Sequence, residues 1–146
     1  MNDQLLALRR DLHAHPELSG NEKETIKRIK TFVHKQTGLE GTDVGGYGSC
    51  YTFNYGKGNH LLVRVDIDGL PIQEVNDFEY VSKTKGVSHK CGHDGHAAIG
   101  AGLVIKLHNE PLKHGKLTVL FQPAEEIGEG AKSVLNDPSF DISAFD

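Results

Sequence analysis

A dense group of side chains with metal-binding chemistry lies in residues 88–96, which read SHKCGHDGH. Three histidines, one of the chain's two cysteines and an aspartate fall within this stretch. Cys91 and His93 are two positions apart, and in an extended loop side chains at that spacing point the same way. Thiolate and imidazole together suit Zn²⁺ or another late first-row divalent ion. The stretch therefore predicts a metal site that includes Cys91 and His93.

A second charged motif, Glu125-Glu126, follows a predicted strand. No CxxC pair completes a structural zinc site around Cys91 and His93, so the site needs carboxylates from elsewhere in the chain. Adjacent residues point to different sides, so one glutamate can bind the metal while the other faces a water molecule as general base. The two motifs together indicate a hydrolytic metal site with a position open to water.

The remaining acidic and histidine residues are less specific. For Asp66 and Asp68, capping of a turn and a role at the metal site are equally open. His89 and His96 stay open between ligand, capping residue and neighbour of the site. The other histidines are assigned a structural role near a helix end (His13, His15) or a place on the surface (His34, His60, His108, His114). Cys50, on a predicted strand, is expected to be a small core residue.

Apolar periodicity and turn residues predict the elements that position these motifs. Helices are expected over residues 4–14, from about 22 to 38, 95–107 and 128–136, and strands over 50–55, 61–65 and 116–121. Asn21 with Glu24, or Ser19 with Glu22, has the spacing of a capping box for the second helix. The first two strands are separated by turn residues and predict a hairpin, with the second strand in the sheet interior. Loops are expected over 41–48 and 73–90.

Length and charge restrict the class of protein. The 146 residues suffice for one domain, and 17 glycines with a hydrophobic fraction of 37% favour a turn-rich α/β domain. Charges of both signs are interspersed and the net charge is −4, which argues against nucleic acid as a partner. No stretch has the length of a membrane span, and residues 1–4 lack the start of a signal peptide. We therefore expect a cytoplasmic protein that does not bind membranes.

Four segments in order resemble hippurate hydrolases and N-acyl-amino-acid amidohydrolases, within the aminoacylase and carboxypeptidase superfamily of di-metal peptidases. They are residues 9–19 (RRDLHAHPELS), 64–72 (RVDIDGLPI), 91–96 (CGHDGH) and 121–126 (FQPAEE). The sequence differs from the usual family pattern at Gly69, where alanine is common, and at residues 88–90, where Met-His-Ala is common. Neither difference touches a predicted ligand.

The resemblance implies a three-layer α/β/α fold with a mixed sheet, like the catalytic domain of di-zinc exopeptidases. It also implies roles for single residues: Cys91, His93 and Glu126 as metal ligands, Glu125 as the general base, and Asp68 and Asp94 as supporting residues. Two divalent ions are expected, usually Zn²⁺ or Mn²⁺, with the cysteine as a candidate bridging ligand. The implied reaction is hydrolysis of the amide bond of N-acyl amino acids or small peptide-like substrates.

Members of that family are much longer than this chain. They carry a lid or dimerisation domain and a C-terminal return to the catalytic domain, and both supply further metal-binding histidines. Residues 1–146 are therefore expected to be the N-terminal portion of a catalytic domain, incomplete and inactive by itself, whose full-length parent is a homodimer. The alternative is a metal-binding fragment or scaffold without catalysis.

Overall fold

The central sheet has four strands in the order β1-β2-β4-β3. The computed structural model describes residues 2–146. In chain order the elements are α1 (Asn2–Ala14), α2 (Lys23–Thr37), β1 (Thr42–Val44), β2 (Gly48–Asn54), β3 (His60–Asp66), α3 (His93–Asn109), β4 (Lys116–Gln122), α4 (Gly130–Leu135) and a short 3₁₀ turn (Ile142–Ala144). All the predicted helices and strands are present with shifted ends, and β1 lies in a segment that the sequence predicts to be a loop.

The strand pairing contradicts the predicted hairpin. β2 pairs with β4 in antiparallel fashion, while β3 pairs with β4 in parallel, so β4 lies between the two strands expected to be neighbours. Parallel neighbours need a crossover connection, and α3 provides it. β4 is buried over its last five residues, whereas β3 is buried only at Val65 and Asp66. The more deeply buried strand therefore takes the interior position, and β3, which was predicted to be interior, lies at an edge of the described sheet.

Helices cover the two faces of the sheet unequally. Val119 and Phe121 of β4 point into the larger core cluster, together with apolar residues of α1, α2 and α3. Leu120, between them, points to the opposite face, where it packs with Val134 of α4 in a smaller cluster. Alternation along one strand thus gives the sheet a helical layer on each side, which is the predicted α/β/α arrangement.

Helix α3 lies close against the sheet because it carries glycine where the two meet. A Cβ atom at Gly100 would lie 2.7 Å from Val65 Cγ2 and 3.0 Å from Phe121 Cε1. This close approach fixes α3 over β3 and β4, and its first residue, His93, contacts Asp68, two residues beyond the end of β3.

The start of α2 differs from the predicted capping box. Its N-cap residue is Glu22, whose side chain makes no capping hydrogen bond. Instead, Glu17 Oε2 accepts hydrogen bonds from the Thr25 backbone N–H (2.6 Å) and from Thr25 Oγ1 (2.8 Å). The helix ends as predicted at Gly38, which has a left-handed φ of 74°. Among residues 2–146, no single helix is both long enough and apolar enough to span a bilayer.

Candidate metal centre

Three segments meet at the edge of the sheet where β3 and β4 end. Asp66 and Gln122, the last residues of these parallel strands, are partners in the register. Asp68 follows the first strand and the Glu125-Glu126 pair follows the second, while Cys91 and His93 lie at the start of α3. Ligands of open α/β sheets bind at such carboxyl ends.

Cys91, His93 and Glu126 form one group of potential metal donors. One ligand atom from each lies within 4.8 Å of the others, and all three residues are half-buried. The route to this arrangement differs from the predicted extended loop. Gly92 has a φ of 90°, and α3 begins directly at His93, so a turn rather than strand alternation brings the thiol and the imidazole together.

The two adjacent glutamates approach His93 from different sides. Glu125 Oε2 lies 3.9 Å from the ring Nε2, and Glu126 Oε1 lies 3.9 Å from Nδ1. The Glu125 side chain is 38% exposed, whereas that of Glu126 is 23% exposed. Glu125 is therefore the carboxylate more open to a water molecule or a substrate.

Asp68 lies directly behind His93 and is fully buried. Its Oδ1 accepts a hydrogen bond from His93 Nδ1 (3.1 Å), and its Oδ2 accepts from Ser19 Oγ (2.6 Å) and from the Glu126 backbone N–H (3.0 Å). Burial alone would raise the pKa of Asp68, but the hydrogen bonds from His93, Ser19 and Glu126 outweigh it and lower the pKa to about 2. The residue is an ionised acceptor that orients the imidazole.

The same contact acts on the imidazole. The hydrogen bond to Asp68, followed by that with Cys91, raises the pKa of His93 to about 11. A protonated ring has no lone pair for a metal ion, so binding of an ion at Nε2 requires release of that proton while Nδ1 keeps its own.

Asp94, the other predicted supporting residue, does not join the donor group. It lies in the first turn of α3 and is 1% exposed. Its Oδ2 accepts hydrogen bonds from the His13 ring (2.8 Å) and from Arg9 Nε (3.1 Å). Asp94 therefore ties the start of α3 to α1.

A buried network that the sequence does not reveal continues from His13. The second ring nitrogen of His13 lies 3.1 Å from a Glu74 oxygen, and Lys90 Nζ lies 2.6 Å from the other oxygen. Burial alone would raise the pKa of Glu74, but hydrogen bonds from Lys90, the Ser82 backbone N–H and His13 lower it to about 2. In the sequence, the only sign of this network is Lys90, beside Cys91. Its partner Glu74 lies in a loop that has no apolar periodicity.

The histidines that were left open lie beside the donor group. His96 Nδ1 accepts a hydrogen bond from the Asp66 backbone N–H (3.1 Å). His89 is 4% exposed, and neither of its ring nitrogens has a hydrogen-bond partner among residues 2–146. Burial lowers the pKa of His89 to about 4.

Most of the remaining assignments agree with the structure. His34, His108 and His114 are exposed. His60 was predicted to be a surface residue but is half-buried, with Nε2 2.9 Å from Thr118 Oγ1. Cys50 is half-buried and packs against the smaller core cluster, as expected for a small apolar residue.

Fold and site together define the class: a layered α/β domain with a candidate metal centre at the carboxyl edge of its sheet. The sequence profile of Peptidase family M20/M25/M40 matches residues 62–145, which is more than half of the chain. The chain belongs to this family, and the resemblance seen in its motifs is confirmed.

Curated relatives include enzymes of several names. The chain is 41% identical to the N-acetyl-L-cysteine deacetylase of Bacillus subtilis (strain 168), over 97% of this chain and 34% of the relative. It is 38% identical to IAA-amino acid hydrolase ILR1-like 5 of Arabidopsis thaliana, over 91% of this chain and 31% of the relative. It is 37% identical to thermostable carboxypeptidase 1 of Saccharolobus solfataricus, over 92% of this chain and 36% of the relative. The chain thus spans about a third of the length of these relatives.

Solved structures agree with the fold. A Bacillus subtilis protein described as a dinuclear metal binding peptidase from the M20 family superposes with a TM-score of 0.84 at 40% identity, over 91% of this chain and 38% of that one. A protein from methicillin-resistant Staphylococcus aureus gives a TM-score of 0.82 at 36% identity, over 94% and 40%. The predicted α/β fold is therefore confirmed.

Proposed function

We propose that this chain carries part of the active site of a metal-dependent amidohydrolase that cleaves the amide bond of N-acyl amino acids or small peptide-like substrates. The observation that carries the proposal is the donor group of Cys91, His93 and Glu126, with Glu125 beside it and more exposed. The names of the relatives, a deacetylase of N-acetyl-L-cysteine and an amino acid conjugate hydrolase among them, support this substrate class.

The donor set fits a divalent cation. A thiolate, an imidazole and a carboxylate within 4.8 Å of one another offer three charged or neutral donors of the kinds that Zn²⁺ prefers. We propose Cys91, His93 and Glu126 as ligands and two divalent ions, Zn²⁺ or Mn²⁺, as cofactors, in line with the dinuclear description of the similar B. subtilis structure. When bound, such ions lower the pKa of a water molecule and polarise a carbonyl group.

We propose Glu125 as the general base. Its carboxylate is within reach of solvent and is held 3.9 Å from His93 Nε2. It takes the proton of the attacking water and later gives it to the nitrogen of the leaving amine. Asp68 acts earlier, because its hydrogen bond fixes the orientation of His93 before substrate arrives.

A metal-binding scaffold without catalysis is the second candidate. It is favoured by the small number of donors, three in the described residues, and by the coverage of about a third of each relative. We propose that residues 1–146 correspond to the N-terminal portion of the relatives' catalytic domain, and that a homodimeric full-length parent supplies the remaining ligands.

Metal analysis combined with an assay of N-acetyl-L-cysteine hydrolysis separates the two candidates. Turnover by the full-length parent that stops on chelation and returns with Zn²⁺ or Mn²⁺ supports the hydrolase. Tight binding of metal with no turnover in the chain, and also none in its parent, supports the scaffold. A protein that binds no divalent ion contradicts both.

A further inference from the structure

A glutamate from the start of α2 holds the loop that carries Glu125 and Glu126. Glu22 is fully buried, and its Oε1 accepts a hydrogen bond of 2.7 Å from the backbone N–H of Ala124. The two residues are 102 positions apart. The contact therefore joins the N-terminal region to the residue directly before the glutamate pair.

Ala124 has an unusual backbone conformation. Its φ is 51°, and among residues 2–146 it is the one residue other than glycine with a positive φ. The left-handed region is disfavoured for residues with a Cβ atom, so the conformation persists only where surrounding contacts enforce it. Here both backbone groups are held: the N–H donates to Glu22, and the carbonyl oxygen accepts from the Gly130 N–H (2.9 Å).

The direction of the glutamate pair depends on this turn. A change of φ at Ala124 would rotate the residues that follow it, and with them the carboxylates that approach His93. The Glu126 N–H is fixed separately by Asp68 Oδ2 at 3.0 Å. Glu22 and Asp68 thus hold the backbone on the two sides of Glu125.

Capping of α2 does not explain the presence of Glu22. It occupies the N-cap position of α2, yet its side chain makes no capping hydrogen bond. Its Oε2 is buried without a hydrogen-bond partner among the described residues. A buried carboxylate is costly compared with an apolar side chain of similar size, so a compensating role at Ala124 explains its presence.

We infer that Glu22 is a positioning residue, which holds the left-handed turn at Ala124 and thereby aims Glu125 and Glu126 at the donor group of Cys91 and His93. The inference rests on the proposed metal site. Glu22 makes no hydrogen bond to the donors; it acts through the backbone of Ala124.

Zn²⁺ affinity, measured by competition with a chromophoric chelator, tests the inference. Glu22→Gln keeps an acceptor oxygen and should bind Zn²⁺ within about threefold of wild type, whereas Glu22→Leu should bind about tenfold more weakly, the lower range for partners that orient ligands. Glu24→Leu, two positions on and exposed, is the matched control and should leave the affinity unchanged. A folded Glu22→Leu variant with wild-type affinity would overturn the inference.

Substitutions at Ala124 test the turn itself. Ala124→Gly should keep the affinity, because glycine adopts a φ of 51° without strain. Ala124→Val should weaken binding about as much as Glu22→Leu, since a β-branched side chain is excluded from that region. Equal affinity of the glycine and valine variants would contradict the inference even if Glu22→Leu did not fold.

Hydrogen exchange at the Ala124 amide gives a measurement that is independent of metal. The amide should be protected in wild type and in Glu22→Gln, and should exchange faster in Glu22→Leu. The midpoint of urea unfolding should be the same for all three proteins, so that faster exchange reports a local change at Ala124. If the wild type binds no Zn²⁺, the proposed function fails, but this exchange pattern still decides whether Glu22 holds the turn. Unchanged protection in a folded Glu22→Leu variant would show that it does not.

Discussion

Asp68 Oδ1 lies 3.1 Å from His93 Nδ1, and the carboxylate that makes this contact has no exposed surface. Because Asp68 accepts the hydrogen bond, Nδ1 keeps its proton, and Nε2, 3.9 Å from Glu125, is the nitrogen that can give up its proton to bind an ion. One buried aspartate thereby decides which nitrogen of the imidazole is available to an ion. The same aspartate also binds the Glu126 backbone, so it links two of the three potential donors.

Replacement of Asp68 by asparagine should weaken metal binding. All three partners of the carboxylate (His93 Nδ1, Ser19 Oγ and the Glu126 N–H) are donors, and an amide directs its own N–H₂ group at one of them. We expect Asp68→Asn to lower Zn²⁺ affinity by about 10- to 100-fold in a competition titration. Asp141→Asn, at an exposed residue, is the control. A Zn²⁺ affinity within about twofold of wild type would contradict the role of Asp68 in orienting His93.

The two cysteines should respond differently to metal. Cys91 is one of the three grouped donors, whereas Cys50 lies on β2 beside the smaller core cluster. With Co²⁺ as the probe, Cys50→Ser should keep the thiolate-to-metal charge-transfer absorption, and Cys91→Ser should lose it. Retention of the band in Cys91→Ser would remove Cys91 from the donor set.

The proposed general base can be separated from the proposed ligand. In the intact parent enzyme, Glu125→Gln should retain its metal and lose turnover of N-acetyl-L-cysteine by about 10²- to 10⁴-fold, because the amide cannot accept the proton. Glu126→Gln should instead lose metal, and Glu129→Gln, at an exposed residue, should behave as wild type. Wild-type kcat in Glu125→Gln would exclude it as the base.

The buried network around Glu74 should make the stability of the fold depend on pH. The pKa of Glu74 is lowered from 4.5 to about 2, so its ionised form stabilises the native state above pH 4.5 and this stabilisation is lost as the pH falls toward 2. We expect Glu74→Gln to lower the free energy of unfolding by about 3 kcal/mol at neutral pH, because Lys90 and His13 lose their charged partner.

Urea unfolding at several pH values measures this effect. The difference in the free energy of unfolding between wild type and Glu74→Gln should become smaller as the pH falls below about 4.5. Glu79→Gln, at an exposed residue of the same loop, should follow the wild-type curve. A constant difference across the acidic range would show that the lowered pKa of Glu74 does not contribute.

Local patterns in the sequence account for the parts of the fold that were predicted well. The apolar residues Ile26, Ile29 and Val33 recur at helical spacing, and all three are buried on α2. The prediction of a hairpin failed because proximity in the chain was taken as proximity in the sheet. The strand that separates β2 from β3 starts fifty residues after β3 ends, at Lys116, and nothing in either strand specifies that partner.

The types of donor and their order were determined by the sequence alone, since a thiol, an imidazole and carboxylates have the same metal chemistry wherever they lie. The tertiary structure decided which of them meet. The parallel pairing of β3 with β4 brings Asp68 and the glutamate pair to one edge of the sheet, and Gly92 turns Cys91 toward His93. The contacts of Glu22 and Glu74 could not be recognised from the sequence. The partner of Glu22 lies 102 positions away, and the partners of Glu74, His13 and Lys90, lie 61 and 16 positions away. Hydrogen bonds over such separations in the chain depend on packing.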